Sequence, residues 1–197
     1  MNAIQLLEEL KGMITYDKSS ILLVHGKLKP AAQVVMQGPI FSLDSEVEHI
    51  PNESISTLHE VLTFFKLAYV SKTVVMENSS DASFEHGQEV MRISIAQDND
   101  VAIRLRDLFT DVSNNHTAIG HLLGYPSTAV EAFLTAQMLE WGDYPKSTEH
   151  VSEKNMRLLG HRLSRKNWEE EVNYLETSGE YLKSISPKIY GYITREE

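Results

Sequence analysis

Between Leu123 and Ser127 the chain reads Gly124-Tyr125-Pro126, and these three residues restrict the fold more than any other stretch. Apolar residues at helical spacing lie on both sides, yet Pro126 lacks the N–H that would continue a first helix, and Gly124 is suited to the left-handed conformation that closes one. The spacing therefore predicts two short helices, 116–123 and 127–140, meeting at a sharp corner. Thr128 with Glu131 has capping-box form for the second helix. Ile119, Leu122, Leu123, Val130 and Phe133 are expected to meet across the bend, with Gly120 leaving room for close backbone approach.

Other periodicities set the fold class. Ile4, Leu7, Leu10 and Ile14 predict a helix over 3–14 with Asn2 as its cap, and Leu58, Val61, Leu62, Phe65, Ala68 and Tyr69 predict a core helix after the Thr57–Glu60 capping box. Ile21–Val24 and Ala31–Met36 are expected to be strands joined by a turn, Thr73–Met76 a further strand, and 41–56 an acidic surface loop. Met91, Ile93 and Ile95 alternate with Arg92 and Ser94, as a half-buried strand should. After a cap at Asp98 or Asn99, Val101, Leu105, Leu108, Phe109 and Val112 share one helical face, and helices follow over 152–166 and 168–184. The expected architecture is α+β in a single domain over 1–197: a strand-containing portion with a small sheet over about 1–112, then a helical portion over about 113–197.

The corner invites a helix-turn-helix reading, and charge argues against it. No Lys or Arg lies between Arg106 and Lys146, while Asp107, Asp111, Glu131, Glu140 and Asp143 fall in the same window. The whole chain carries 28 acidic against 18 basic side chains, a net charge of −10. A DNA reader takes most of its affinity from cations facing phosphates, so no nucleic-acid partner is expected.

Gly120-His-Leu-Leu-Gly-Tyr-Pro126, followed by Val130, Glu131, Ala132 and Phe133, resembles the Gly-x-Leu-Leu-Gly-Tyr-Pro-x-Cys-Cys-x-x-x-Phe signature of an uncharacterised, largely archaeal domain family. Leu28-Lys29-Pro30-Ala31 is similar to a Leu-Lys-Pro-Ala element of the same group, and the resemblance extends over about residues 20–140. It implies no particular activity. The family's paired cysteines fall on Thr128 and Ala129 here, so a thiol role does not carry over.

The chain has no cysteine, which removes disulfides, thiolate metal sites and cysteine nucleophiles. Its eight histidines show no metal-binding spacing: His59-Glu60 lacks a second His four residues on, and His116 and His121 are about 140° apart around a helix. Asp98-x-Asp100 lacks the glycine and closing glutamate of a calcium loop, and Asp44, Glu46, Glu48 and His49 read as solvated acid. Phosphate-cradling and hydrolase motifs are absent as well, so no metal and no cofactor is expected. No apolar run is long enough to span a membrane and no signal peptide is read, which suggests a cytoplasmic protein.

Two sets of candidate residues follow. Lys154, Arg157, His161 and Arg165 recur at spacings that align them on one face of a 152–166 helix, a cationic stripe suited to a small anionic ligand or a protein partner. His116, His121, Tyr125 and Glu131 around the corner could instead serve as acid, base and orienter in an enzyme of unknown reaction. The leading expectation is a non-enzymatic ligand-binding or interaction domain. The aromatic-rich C-terminal segment, with Trp168, Tyr190 and Tyr192, could close the core or support a homodimer.

Overall fold

The computed structural model describes residues 2–42, 45–78, 86–111 and 115–195. Its first helix, α1 (Ala3–Glu9), starts in a full capping box: the Asn2 side chain accepts from Gln5 N at 2.9 Å, and the Gln5 side chain accepts from Asn2 N at 3.0 Å. It is shorter than its apolar spacing predicts. Gly12 turns the chain at φ +77°, and its carbonyl accepts from Gln37 N at 2.7 Å, so Met13 pairs with Met36 instead of extending a helix.

Ile21–Val24 is not a strand. It is the buried end of α2 (Thr15–His25), with Ile21, Leu22 and Val24 wholly inaccessible. A run of four apolar residues has no visible period, and a helix enclosed on all sides needs none.

Three strands form one antiparallel sheet in the order β1-β3-β2: β1 (Ala31–Ser42), β2 (Ala68–Asn78) and β3 (His86–Ala96). β1 runs past the predicted stop at Gly38-Pro39 because it is an edge strand. Its register shifts between Gln37 and Ile40, and this bulge absorbs the proline's missing donor. The predicted loop over 41–56 gives way at Asn52 to α3 (Asn52–Phe64), which leaves Thr57 and Glu60 in mid-helix, so their capping box does not form. Lys66 then adopts φ +55° and sends Ala68 and Tyr69 into β2 rather than onto the helical face.

The sheet is covered on both faces. Ala32, Val34, Met36, Met91, Ile93 and Ile95 join Leu22, Leu58, Leu62, Leu175 and Leu182 in the main core. On the other face Ala31 and Ala96 pack under Ala102 and Leu105 of α4 (Asn99–Thr110). Asp98 caps α4 as expected, accepting from Asp100 N at 2.8 Å; Phe109 is exposed, and Val112 lies outside the described residues.

The corner forms as α5 (His116–Leu122) and α6 (Ser127–Leu134). Gly124 takes φ +78°, and a Cβ there would stand 2.7 Å from Cδ of Pro30, so the corner rests on the chain entering β1. Gly120 faces Val130, whose Cγ2 would be 2.6 Å from an added Cβ. Pro126 occupies the N-cap of α6, which places Thr128 inside the helix and leaves the Thr128–Glu131 box unmade. α6 ends at Leu134, and no helix spans 135–140. Residues 137–139 pair instead with 163–165: Leu139 N donates to Leu163 O at 2.8 Å and Arg165 N to Gln137 O at 3.0 Å.

That pairing also shortens the expected 152–166 helix to α7 (Glu153–Met156). The chain closes with α8 (Trp168–Glu171), α9 (Tyr174–Ile185) and α10 (Pro187–Ile193), where the sequence predicts a single helix over 168–184. The result is an α+β fold with a small N-terminal-half sheet and a mostly helical C-terminal half. No helix among the described residues is long and apolar enough to cross a membrane.

Candidate functional site

The corner and the irregular segment after α7 enclose a cavity of about 240 Å³. Ile119, Gly120, Ala129, Val130 and Phe133 supply its apolar wall; His116, Tyr125, His161 and Arg162 supply the polar atoms. His116 sits at the exposed rim, its ring centroid 5.2 Å from that of Phe133. Tyr125 and His161 lie with ring centroids 5.1 Å apart, and Tyr174 flanks His161 on a second side at 6.0 Å.

His161 is buried, and its environment fixes its chemistry. Loss of solvent pulls its pKa down to about 4; the nearby Glu171 carboxylate opposes that shift and Lys29 reinforces it. The ring is therefore neutral at physiological pH. The Tyr174 hydroxyl, whose own pKa burial pushes up, keeps its proton and lies 3.3 Å from His161 Nδ1. With Tyr174 as the donor in that contact, the imidazole hydrogen sits on Nε2. Nε2 is buried and has no hydrogen-bond partner.

Arg162 presents a second donor of the same kind. Its Nη2 donates to Leu139 O at 3.1 Å and its guanidinium lies over the Trp141 ring at 5.5 Å, but its buried Nε is unpartnered. Glu171, 1% exposed, accepts from Ser164 N through Oε2 at 2.8 Å and keeps Oε1 without a partner. Unsatisfied buried polar atoms are uncommon, and three within residues 161–171 mark this segment as unusual.

Behind Tyr125 the polar character continues. Tyr16 and Asp17 of α2, and Lys29 just before β1, are all half-buried. Tyr16 donates to Leu158 O at 3.2 Å, and Asp17 accepts from Val35 N at 2.8 Å. Lys29 Nζ lies 4.0 Å from the point where a Cβ of Gly160 would stand, and the same Cβ would collide with the Tyr16 hydroxyl. Burial lowers the Lys29 pKa to about 8 despite the attraction of Asp17. Burial also raises the pKa of Tyr16, Tyr125 and Asp17. Desolvation has thus moved every one of these groups toward its neutral form, an arrangement characteristic of sites built for chemistry or recognition.

The predicted site residues divide. Of the corner group, His116 and Tyr125 reach the cavity, whereas His121 and Glu131 are exposed and do not line it. Of the cationic group only His161 does. The predicted stripe does not exist, because the helix that would align it ends at Met156. Lys154 is exposed on α7, Arg157 donates to the carbonyl of Arg195, and Arg165 donates to Met138 O at 2.9 Å with Glu140 3.9 Å away. Arg162, Lys29, Tyr16, Asp17, Glu171 and Tyr174 were not singled out by sequence. They come together from segments up to 158 residues apart, and none of their local patterns signals it. Among the described residues no group of three or more His, Asp or Glu could hold a metal ion; Asp44 lies outside them.

No protein-family model, curated protein or solved structure matches this chain. What the site does has to be read from its own residues.

Proposed function

We propose that the protein binds a small molecule in the corner cavity, and that the ligand has a compact apolar body with a carboxylate head. The observation that carries this reading is the pair of buried, unpartnered side-chain nitrogens, His161 Nε2 and Arg162 Nε, on adjacent residues that line a mostly apolar cavity; with Tyr174 donating to Nδ1, both are N–H donors. Leaving such donors unsatisfied costs about 1–3 kcal/mol each, a cost that an acceptor supplied by the ligand removes. One donor is neutral and one cationic, which favours a single negative charge over a phosphate. The volume suits a ring or short branched chain, at the small end of ligand sites. A nucleic-acid role gains no support, since Arg162 and Arg165 direct donors to the backbone carbonyls of Leu139 and Met138.

Calorimetric titration with benzoate, isovalerate and benzyl alcohol tests this. The acids should bind and the alcohol should bind at least tenfold more weakly. R162M and H161F should each weaken the acids by roughly tenfold to a hundredfold, the value of one hydrogen bond to a charged group. Equal binding of acid and alcohol, or acid binding untouched in the R162M, H161F double variant, would overturn the reading.

A further inference from the structure

Of the described residues that line the corner cavity, His116, Tyr125, Phe133 and His161 carry rings, and Ile119 and Val130 alone are branched aliphatic side chains. The rings sit in two pairs. Buried His161 and half-buried Tyr125 have centroids 5.1 Å apart and planes 31° from parallel; exposed His116 and Phe133 are 5.2 Å apart at 64°, edge to face. Each pair sets the tilt of its own rings in a geometry that aromatic systems favour. Such a lining is not what this chain uses where it only needs to exclude water. The fully enclosed members of the main core are Leu, Ile, Val, Met and Ala, with Phe65 as their one ring among the described residues.

The size of the cavity limits what the rings can hold. An apolar cavity of about 150 Å³ accepts benzene, so one of about 240 Å³ leaves roughly 90 Å³, about three water volumes, for a head group. A carboxylate fits that remainder and a second fused ring does not. We propose that the ligand is a single-ring aromatic carboxylate, its flat body held among Tyr125, His116 and Phe133 and its head at His161 and Arg162. A ring placed edge to face or offset against another gains roughly twofold to tenfold in affinity per contact beyond the area it buries. A saturated ring of the same size has no such quadrupole, is thicker, and carries more apolar surface, so burial of area alone would favour it instead. The two accounts therefore predict opposite orders of binding.

This inference rests on the reading of the corner as a carboxylate site, and its test separates the two. Calorimetric titration of the full chain at pH 7.5 compares benzoate with cyclohexanecarboxylate, which share a head group and a six-carbon ring. Benzoate should bind roughly fivefold or more tightly. F133L, a change at an exposed position of the rim that keeps apolar bulk, should cut that advantage and alter cyclohexanecarboxylate affinity by less than about twofold. Val130 methyl resonances should move in the ring current of bound benzoate. Equal affinities, or tighter cyclohexanecarboxylate, would overturn the aromatic assignment and leave the carboxylate site standing, whereas failure of both acids to bind removes both. Benzoate that binds without moving the Val130 methyls, or that keeps its whole advantage in F133L and Y125L alike, also defeats the proposal.

Discussion

Replacing His161 by phenylalanine exposes how much the fold depends on keeping this imidazole neutral. In the folded chain His161 titrates near pH 4; in the unfolded chain it should return to about 6.5. Between those values the unfolded state binds a proton that the folded state refuses, so stability is at its full value above pH 6.5 and falls as the solution is acidified toward pH 4. The groups that face the ring act in opposite senses, Glu171 favouring the proton and Lys29 disfavouring it, and burial outweighs both. Between pH 7.5 and pH 5.0 the linkage relation gives a loss of about 2 kcal/mol from this one residue. For a chain of this size that corresponds to roughly 4–8 °C in melting temperature. Thermal denaturation followed by circular dichroism at both pH values, for wild type and H161F, isolates the contribution, because every other titrating group is common to the two proteins. H161F should have the smaller acid-induced drop by that amount. Identical drops would show that His161 takes up its proton while folded, and the neutral donor on the cavity wall would go with it.

Further substitutions probe the frame that holds the site. Gly124→Ala should cost about 2–4 kcal/mol, from a left-handed backbone penalty and a contact with the rigid Pro30 ring; adding Pro30→Ala should restore only the contact part, as chemical denaturation will show. Asp98→Ala should lower stability by about 1 kcal/mol and leave benzoate binding unchanged, since it removes only the cap of α4. Ser186→Ala should cost about 1–3 kcal/mol in urea denaturation, because the buried hydroxyl both donates to Glu8 Oε1 at 2.6 Å and accepts from Ile189 N at 3.2 Å.

Legibility in the sequence followed the range of the forces involved. The Asn2 and Asp98 caps, the alternation around Met91–Ile95 and the Gly124-Pro126 corner are decided within a few residues, and each is found where the spacing predicts it. The α+β class follows from them. The β-branched ends of Ile21–Val24 suit a strand, but burial from every side makes a helix equally good, and tertiary packing decides between them. The 152–166 helix failed for a related reason: residues 163–165 find better backbone partners in 137–139, a contact no local pattern encodes. With that helix went the alignment of Lys154, Arg157, His161 and Arg165. In the site, His116, Tyr125 and His161 were visible as residues of interest, but their company was not. What makes His161 distinctive is the loss of water and the Tyr174 phenol behind it, and neither exists until the C-terminal helices dock.

The chain that approaches β1 does two jobs with neighbouring residues: Pro30 is the seat on which the Gly124 bend rests, and Lys29 sends its amine inward toward Gly160. Separating the first hundred residues from the rest would therefore leave every residue that lines the cavity on the second piece and take away the Pro30 ring on which its bend rests. Any transplant of the bend onto another scaffold would have to supply a counterpart of that ring.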